Sequence, residues 1–100
     1  MKPLVVEEEA ENELSESAIY YEQRRPGLGL EFEAAISKAL RRIQRAPERS
    51  PSGKGGVQRH VMRRFPFVIH YLNLPDTIWI LAFAHTSRRP DYWRRRLGEN

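Results

Sequence analysis

Apolar residues recur along the chain with two different periods, one typical of helices and one typical of strands. In residues 8–23, and again in the segment after Pro26-Gly27, they recur every three or four positions. The second stripe is the clearer and comprises Phe32, Ala35, Ile36, Ala39, Leu40 and Ile43. Pro26-Gly27 separates the two segments and Pro47 stops the second. The pattern therefore predicts a helical hairpin over residues 8–47.

Short runs with strand character flank this hairpin. Residues 1–7 contain one β-branched run, from Leu4 to Val6. Residues 57–85 contain three more, at positions 57–64, 67–72 and 77–85. Their connections are short, so these three strands are predicted to form an antiparallel meander. The last run has no charged residue from Ile78 to Ala84, which predicts a strand that is covered on both faces.

The order of these elements predicts the fold class. It reads strand, helix, helix, strand, strand, strand, and a basic segment over residues 86–100 follows, with a short helix expected from about Asp91. Because the helical hairpin has one apolar face to cover, we expect it to pack on an antiparallel sheet in an α+β fold, β-α-α-β-β-β. A length of 100 residues suits a single domain, residues 1–100, with a modest core.

Composition excludes several kinds of site. The chain has no cysteine, so disulfides, thiolate metal sites and cysteine nucleophiles are impossible. Its three histidines lack metal-ligand spacing, and we expect neither a metal nor a cofactor. No apolar run approaches the roughly 18 residues of a membrane span, and the first residues are acidic where a signal peptide is basic. These observations favour a cytoplasmic protein without membrane contacts.

Charge is divided unevenly between the two halves of the chain. Residues 1–50 carry eight basic and ten acidic residues, a balance of −2, whereas residues 51–100 carry nine and three, a balance of +6. The basic half is therefore expected to meet an acidic partner, either nucleic acid or protein. The candidate target-binding residues are Arg59, Arg63, Arg88, Arg89, Tyr92 and Trp93. Arg59, Arg88 and Arg89 should converge at one edge of the sheet, where guanidinium groups suit phosphate or carboxylate.

Several of these residues also have a purely structural interpretation. Tyr92 and Trp93 would more often pack a terminal helix on the sheet than stack on a base. Residues 94–96, three consecutive arginines, are typical of a solvated helix end, where cations favour the dipole. His85 closes an apolar strand and fits a hydrogen-bonding role in the backbone around it.

Four motifs, taken in order, resemble a known family. They are Tyr20-Tyr21-Glu22 before Arg25-Pro26-Gly27-Leu28-Gly29, the Phe32 helix ending at Pro47, Arg63-Arg64-Phe65-Pro66-Phe67, and Ala84-His85 followed by Arg89-Pro90 and Tyr92-Trp93. Over nearly the whole chain, their order and spacing resemble the RelE/ParE superfamily of toxins from bacterial toxin-antitoxin operons. The resemblance implies a compact α+β domain that a cognate antitoxin keeps inactive by wrapping around it.

Two branches of this superfamily have different targets. RelE-like members are ribosome-dependent endonucleases that cut mRNA, whereas ParE-like members bind DNA gyrase and stall it. Cleavage of RNA by its own 2′-hydroxyl needs a base, an acid and cations for the developing charge. The candidates for those roles are His85, Arg59, Arg88 and Tyr92.

The pattern of arginines favours the ParE-like branch. RelE-like enzymes place basic residues at alternate positions of the second strand and an arginine early in the third. Arg59 matches the first position, but Val61 and Val68 occupy the others. The sequence also places no carboxylate or lysine pair beside the arginines to act as a base. The prediction is a growth-inhibiting, plasmid-stabilising toxin that binds gyrase, with ribosome-dependent mRNA cleavage as the alternative and a basic nucleic-acid-binding domain as the lesser one.

Overall fold

The computed structural model of the protein describes residues 1–98, so the last two positions of the predicted basic segment lie outside the described residues. The strands and helices are β1 Leu4–Val6, α1 Glu8–Arg24, α2 Leu28–Arg45, β2 Gln58–Val61, β3 Phe67–Asn73 and β4 Ile78–His85. Short 3-10 helices are found at Pro47–Arg49, Lys54–Gly56 and Arg94–Leu97. The predicted order of elements, β-α-α-β-β-β, is confirmed.

The four strands form one sheet in the order β1-β4-β3-β2. Strands β2, β3 and β4 form the predicted antiparallel meander. Strand β1 is parallel to β4, with Leu4 opposite Ile78 and Val6 opposite Ile80, so the sheet is mixed and not antiparallel throughout. The direction of β1 was not predictable from its sequence, because a helical hairpin follows it and not a tight turn.

Helices α1 and α2 form the predicted hairpin, and the turn between them depends on two glycines and one carboxylate. Gly27 has a φ of 89°, a conformation that glycine adopts at little cost. The Glu22 carboxylate accepts hydrogen bonds from the backbone N–H groups of Gly27 (2.9 Å) and Gly29 (3.0 Å). These N–H groups belong to the start of α2, where a helix has no carbonyl partners of its own. The hairpin turn is therefore stabilised from within α1.

The main core lies between the hairpin and one face of the sheet. Its densest part is a cluster of four aromatic rings, in which Tyr21 and Phe65 are 5.0 Å apart and Phe32 and Phe67 are also 5.0 Å apart, measured between ring centroids. Such distances give edge and tilted aromatic contacts in addition to buried apolar area. Phe32 is fully buried, as the apolar stripe of α2 predicts.

A smaller core lies on the opposite face of the sheet, next to a β-bulge in β4. His70 pairs with Ala82 while Tyr71 pairs with Ile80, so Leu81 is an additional residue in β4. Leu81 and Ala82 both belong to this second core, and the other buried members are Val57 and Trp93. The C-terminal segment packs here, and β4 is therefore covered on both faces as predicted.

Two predicted boundaries were wrong. Strand β2 ends at Val61 and not at position 64, because Phe65 turns into the core and the N–H of Phe67 donates to the carbonyl of Phe65 in a tight turn (2.8 Å). The terminal helix is a single 3-10 turn from Arg94 and does not begin at Asp91. Asp91 has a φ of 64°, which is a left-handed conformation that a right-handed helix does not admit.

Within residues 1–98, no helix has the length and apolar character needed to cross a bilayer. No three side chains among the histidines, aspartates and glutamates of this range are grouped so that they could hold a metal ion.

Candidate functional site

A cleft of about 560 Å³ lies between the second face of the sheet and the C-terminal segment. We call it the basic cleft. It is lined by Gly53, Lys54, Val57, Arg59, Val68, His70, Ala84, His85, Thr86, Arg88, Arg89, Pro90, Asp91, Tyr92, Trp93 and Arg94. Five of the six predicted target-binding residues are in this set. The sixth, Arg63, is in the bend after β2 and does not line the basic cleft.

The register of the sheet determines which side chains reach the basic cleft. Arg59 of β2 is directly opposite His70 of β3, so both side chains are on the same face. Val68 is opposite Ala84 in the same way and both are buried, which gives the basic cleft an apolar floor. Arg59 lines the basic cleft from β2, and Arg88 and Arg89 line it from the segment that follows β4.

Trp93 closes one side of the basic cleft as a buried residue. Its exposed fraction is 3%, and its ring stacks on His70 with 4.6 Å between centroids. Burial, with a smaller contribution from the nearby Arg59, lowers the pKa of His70 from 6.5 to about 4. Trp93 thus packs the C-terminal segment on the sheet, as its structural interpretation predicted, and His70 is neutral at pH 7.

Tyr92 is enclosed by charged groups. Its hydroxyl donates a hydrogen bond to Oε2 of Glu13, and the guanidinium of Arg88 lies 3.8 Å from the centre of its ring. Burial, followed by the interaction with Glu13, raises the pKa of Tyr92 well above its ordinary value. A phenol with a raised pKa and a carboxylate acceptor is a poor proton donor to a substrate.

His85 is held by the turn that follows β4. Its Nδ1 accepts a hydrogen bond from the backbone N–H of Ser87 (3.0 Å) and lies 2.8 Å from the Ser87 hydroxyl oxygen. The edge of the His85 ring meets Phe67, with 5.2 Å between ring centroids. One ring nitrogen is therefore engaged in local structure, as expected for a histidine that closes an apolar strand.

The same architecture occurs in a solved structure from a toxin-antitoxin system. The chain matches a chain of the structure "Chromosomal ParDE TA system from P. aeruginosa" with a TM-score of 0.77 and 21% sequence identity, and the match covers 87% of this chain and 98% of that chain. The protein has the ParE/RelE-like fold. No protein-family model and no curated protein matches the sequence. The α+β prediction is confirmed.

Within this fold, the alternative interpretation of residues 94–96 as a solvated helix end is wrong for Arg94 and Arg96. The side chain of Arg96 is only 4% exposed and that of Arg94 is 16% exposed. Arg94 donates a hydrogen bond to the carbonyl of Lys54 (3.1 Å). Arg95 is exposed, but it makes two hydrogen bonds to the Glu9 carboxylate, at 3.0 and 2.8 Å. These arginines attach the C-terminal segment to the rest of the fold.

Glu13 is the residue of the site that the sequence interpretation missed. The Glu13 carboxylate is 4.0 Å from Arg88 and accepts hydrogen bonds from Arg96, which contradicts the prediction that no carboxylate stands beside the basic residues. Its partners are about seventy to eighty positions away in the chain. One signal was available: Glu9 and Glu13 are four residues apart on one face of a helix, and a basic segment elsewhere in the chain is their natural partner.

Proposed function

We propose that the protein is the toxin of a type II toxin-antitoxin system and that it arrests growth by binding DNA gyrase in the cytoplasm. Two findings support this proposal. The ParE/RelE-like fold is shared with a chain of a ParDE system. The basic cleft brings Arg59, Arg88 and Arg89 to one surface, where they suit an anionic region of a target.

One observation favours binding over catalysis. The hydroxyl of Tyr92 donates to Glu13, and Nδ1 of His85 accepts from Ser87, so the Tyr92 hydroxyl and one of the two ring nitrogens of His85 are engaged within the protein. The Arg88 side chain, in contrast, is 53% exposed and available to a partner. General acids and bases need hydrogen-bond access to the substrate, which this arrangement does not give the Tyr92 hydroxyl.

Variants of these residues test the proposal. His85→Gln and Tyr92→Phe should leave growth arrest nearly unchanged, because binding requires no proton transfer. Removal of Arg59, Arg88 and Arg89 in turn should weaken arrest in steps, each step costing about 1–3 kcal/mol of target binding. The measurement is growth after induced expression, with soluble protein quantified in parallel.

A catalytic mechanism predicts the opposite pattern. Loss of a general acid or base lowers rates by about 100-fold to 10,000-fold. If His85→Gln or Tyr92→Phe abolished arrest in a protein that still folds, gyrase binding would have to be abandoned in favour of ribosome-dependent mRNA cleavage. That second candidate has one observation in its favour, since His85, Arg59, Arg88 and Tyr92 do line a single cleft. A general nucleic-acid-binding role would use the same arginines.

The helical hairpin and the sheet beside it are the proposed docking surface for the antitoxin. Ile19, Tyr20 and Leu30 are 58%, 50% and 70% exposed on the hairpin. Exposed apolar side chains of this size favour a partner segment that folds as it binds. Co-expression with the product of the adjacent gene should therefore increase soluble yield, and Leu30→Lys should reduce copurification. Equal yield and no copurifying protein would contradict the proposed partner.

A further inference from the structure

Beyond the end of β1, side chains form hydrogen bonds with the backbone groups at the outer edge of β4. Strand β1 ends at Val6, which is opposite Ile80, and β4 continues to His85. Beyond that point, Oε1 of Glu13 accepts a hydrogen bond from the backbone N–H of Phe83 (3.1 Å). Arg96 donates to the carbonyl of Leu81 (2.8 Å). The two side chains thus satisfy backbone groups that a neighbouring strand would otherwise satisfy.

Glu13 and Arg96 also bind each other in this position. Nη1 of Arg96 lies 2.9 Å from Oε1 of Glu13, and Nη2 lies 3.1 Å from Oε2. Both side chains are largely buried, at 4% and 13% exposure. A buried bidentate pair with further hydrogen bonds to backbone has a well-defined geometry, and removal of one partner leaves the other charge uncompensated.

The same carboxylate reaches the wall of the basic cleft. Oε2 of Glu13 accepts the hydroxyl of Tyr92 and lies 4.0 Å from Nη1 of Arg88. Tyr92 and Arg88 both line the basic cleft, and Arg88 rests on the Tyr92 ring. Glu13 therefore connects helix α1, strand β4 and the wall of the basic cleft through one side chain.

We propose that Glu13 is the positioning residue of the basic cleft. Its carboxylate holds the wall formed by residues 88–96 and orients Arg88 for target binding. The second part of this inference rests on the proposed function. Glu9 provides the contrast, since it is one turn earlier on α1 but 41% exposed. Its main partner is the exposed Arg95, and its contact with Arg96, at 3.5 Å, is longer than that of Glu13, at 2.9 Å. Exposed ion pairs contribute little to structure, so Glu9 should not share the role.

Two matched variants of the full-length chain test the inference. In Glu13→Gln, gyrase supercoiling should be inhibited about tenfold to a hundredfold less strongly, as expected when charge-assisted contacts are lost. Trypsin should cleave within residues 88–96 about tenfold faster, because the wall opens more often. Glu9→Gln should stay within about twofold of the parent protein in both assays.

A double variant separates positioning from a merely structural role. Glu13→Gln leaves the buried Arg96 with only the half-exposed carboxylate of Glu9, 3.5 Å from its Nε, and should therefore lower the melting temperature. A second change, Arg96→Gln, removes this poorly compensated charge. We expect the double variant to regain much of the lost melting temperature but none of the lost inhibition, because Arg88 still lacks the carboxylate that orients it. Recovery of inhibition together with stability would overturn the inference.

The trypsin assay keeps this inference distinct from the proposed function. If the parent chain does not inhibit gyrase, the proposed function fails, and faster cleavage in Glu13→Gln still supports Glu13 as the residue that holds the wall. Unchanged cleavage within residues 88–96 overturns the inference whether or not gyrase is inhibited.

Discussion

His70 illustrates how burial in a small domain changes the chemistry of a single residue. It lies on the same sheet face as Arg59 and under the ring of Trp93. The nearby Asp91 and Glu13 favour its charged form, while burial, Arg59 and Arg94 oppose it and prevail. The imidazole therefore acts as a neutral stacking partner, and its protonation opposes the folded state.

This gives a prediction for the pH dependence of stability. The pKa of His70 falls from 6.5 in the unfolded chain to about 4 in the folded protein, so between these values the unfolded chain binds more protons. The contribution of His70 to the free energy of unfolding is complete above pH 6.5. It is lost as pH falls toward 4, by at most about 1.4 kcal/mol per pH unit. His70→Phe keeps an aromatic ring against Trp93 and should show a smaller loss between pH 7 and pH 5.

Urea unfolding at the two pH values measures the effect. The difference between the two proteins isolates His70, because His60, whose pKa burial also lowers, is present in both. Parallel losses in the parent and in His70→Phe would show that His70 does not carry this pH dependence.

At the scale of elements, the sequence correctly predicted the helices and strands that follow from the spacing of apolar residues and the length of the connections. The stripe from Phe32 to Ile43 predicted α2, and short links predicted the meander of β2, β3 and β4. The bulge at Leu81 was not predictable, because a strand buried on both faces has no alternation that a bulge would interrupt. The contacts of Glu13 were equally hidden, since they depend on tertiary packing between distant segments.

The close contact between the two helices of the hairpin gives a prediction about stability. A Cβ atom at Gly29 would lie 2.6 Å from the backbone carbonyl oxygen of Ala18. Gly29→Ala should therefore destabilise the protein by about 1–3 kcal/mol, although alanine normally favours a helix over glycine. Gly53→Ala is the control, because a Cβ there meets no atom closer than 3.9 Å. Equal free energies of unfolding for Gly29→Ala and the parent would contradict the close packing described for α1 and α2.

At the scale of the whole molecule, ion pairs within the fold join some of the acidic residues of the first half of the chain to basic residues of the second half. Glu9 and Glu13 of the acidic half bind Arg95 and Arg96 of the basic half. The basic surface of residues 51–100 is consequently smaller than their balance of +6 suggests, and Arg59, Arg88 and Arg89 of this half line the basic cleft. Three arginines in one cleft favour recognition of one anionic region over general attraction to nucleic acid.

Induced expression of the chain in a bacterial host tests the proposed mode of action most directly. DNA breaks and mRNA cuts are followed over time in the same culture, before growth stops. Gyrase binding predicts that DNA breaks appear first and that the mRNA remains intact. Early mRNA cuts at ribosomes, without DNA breaks, would contradict the account.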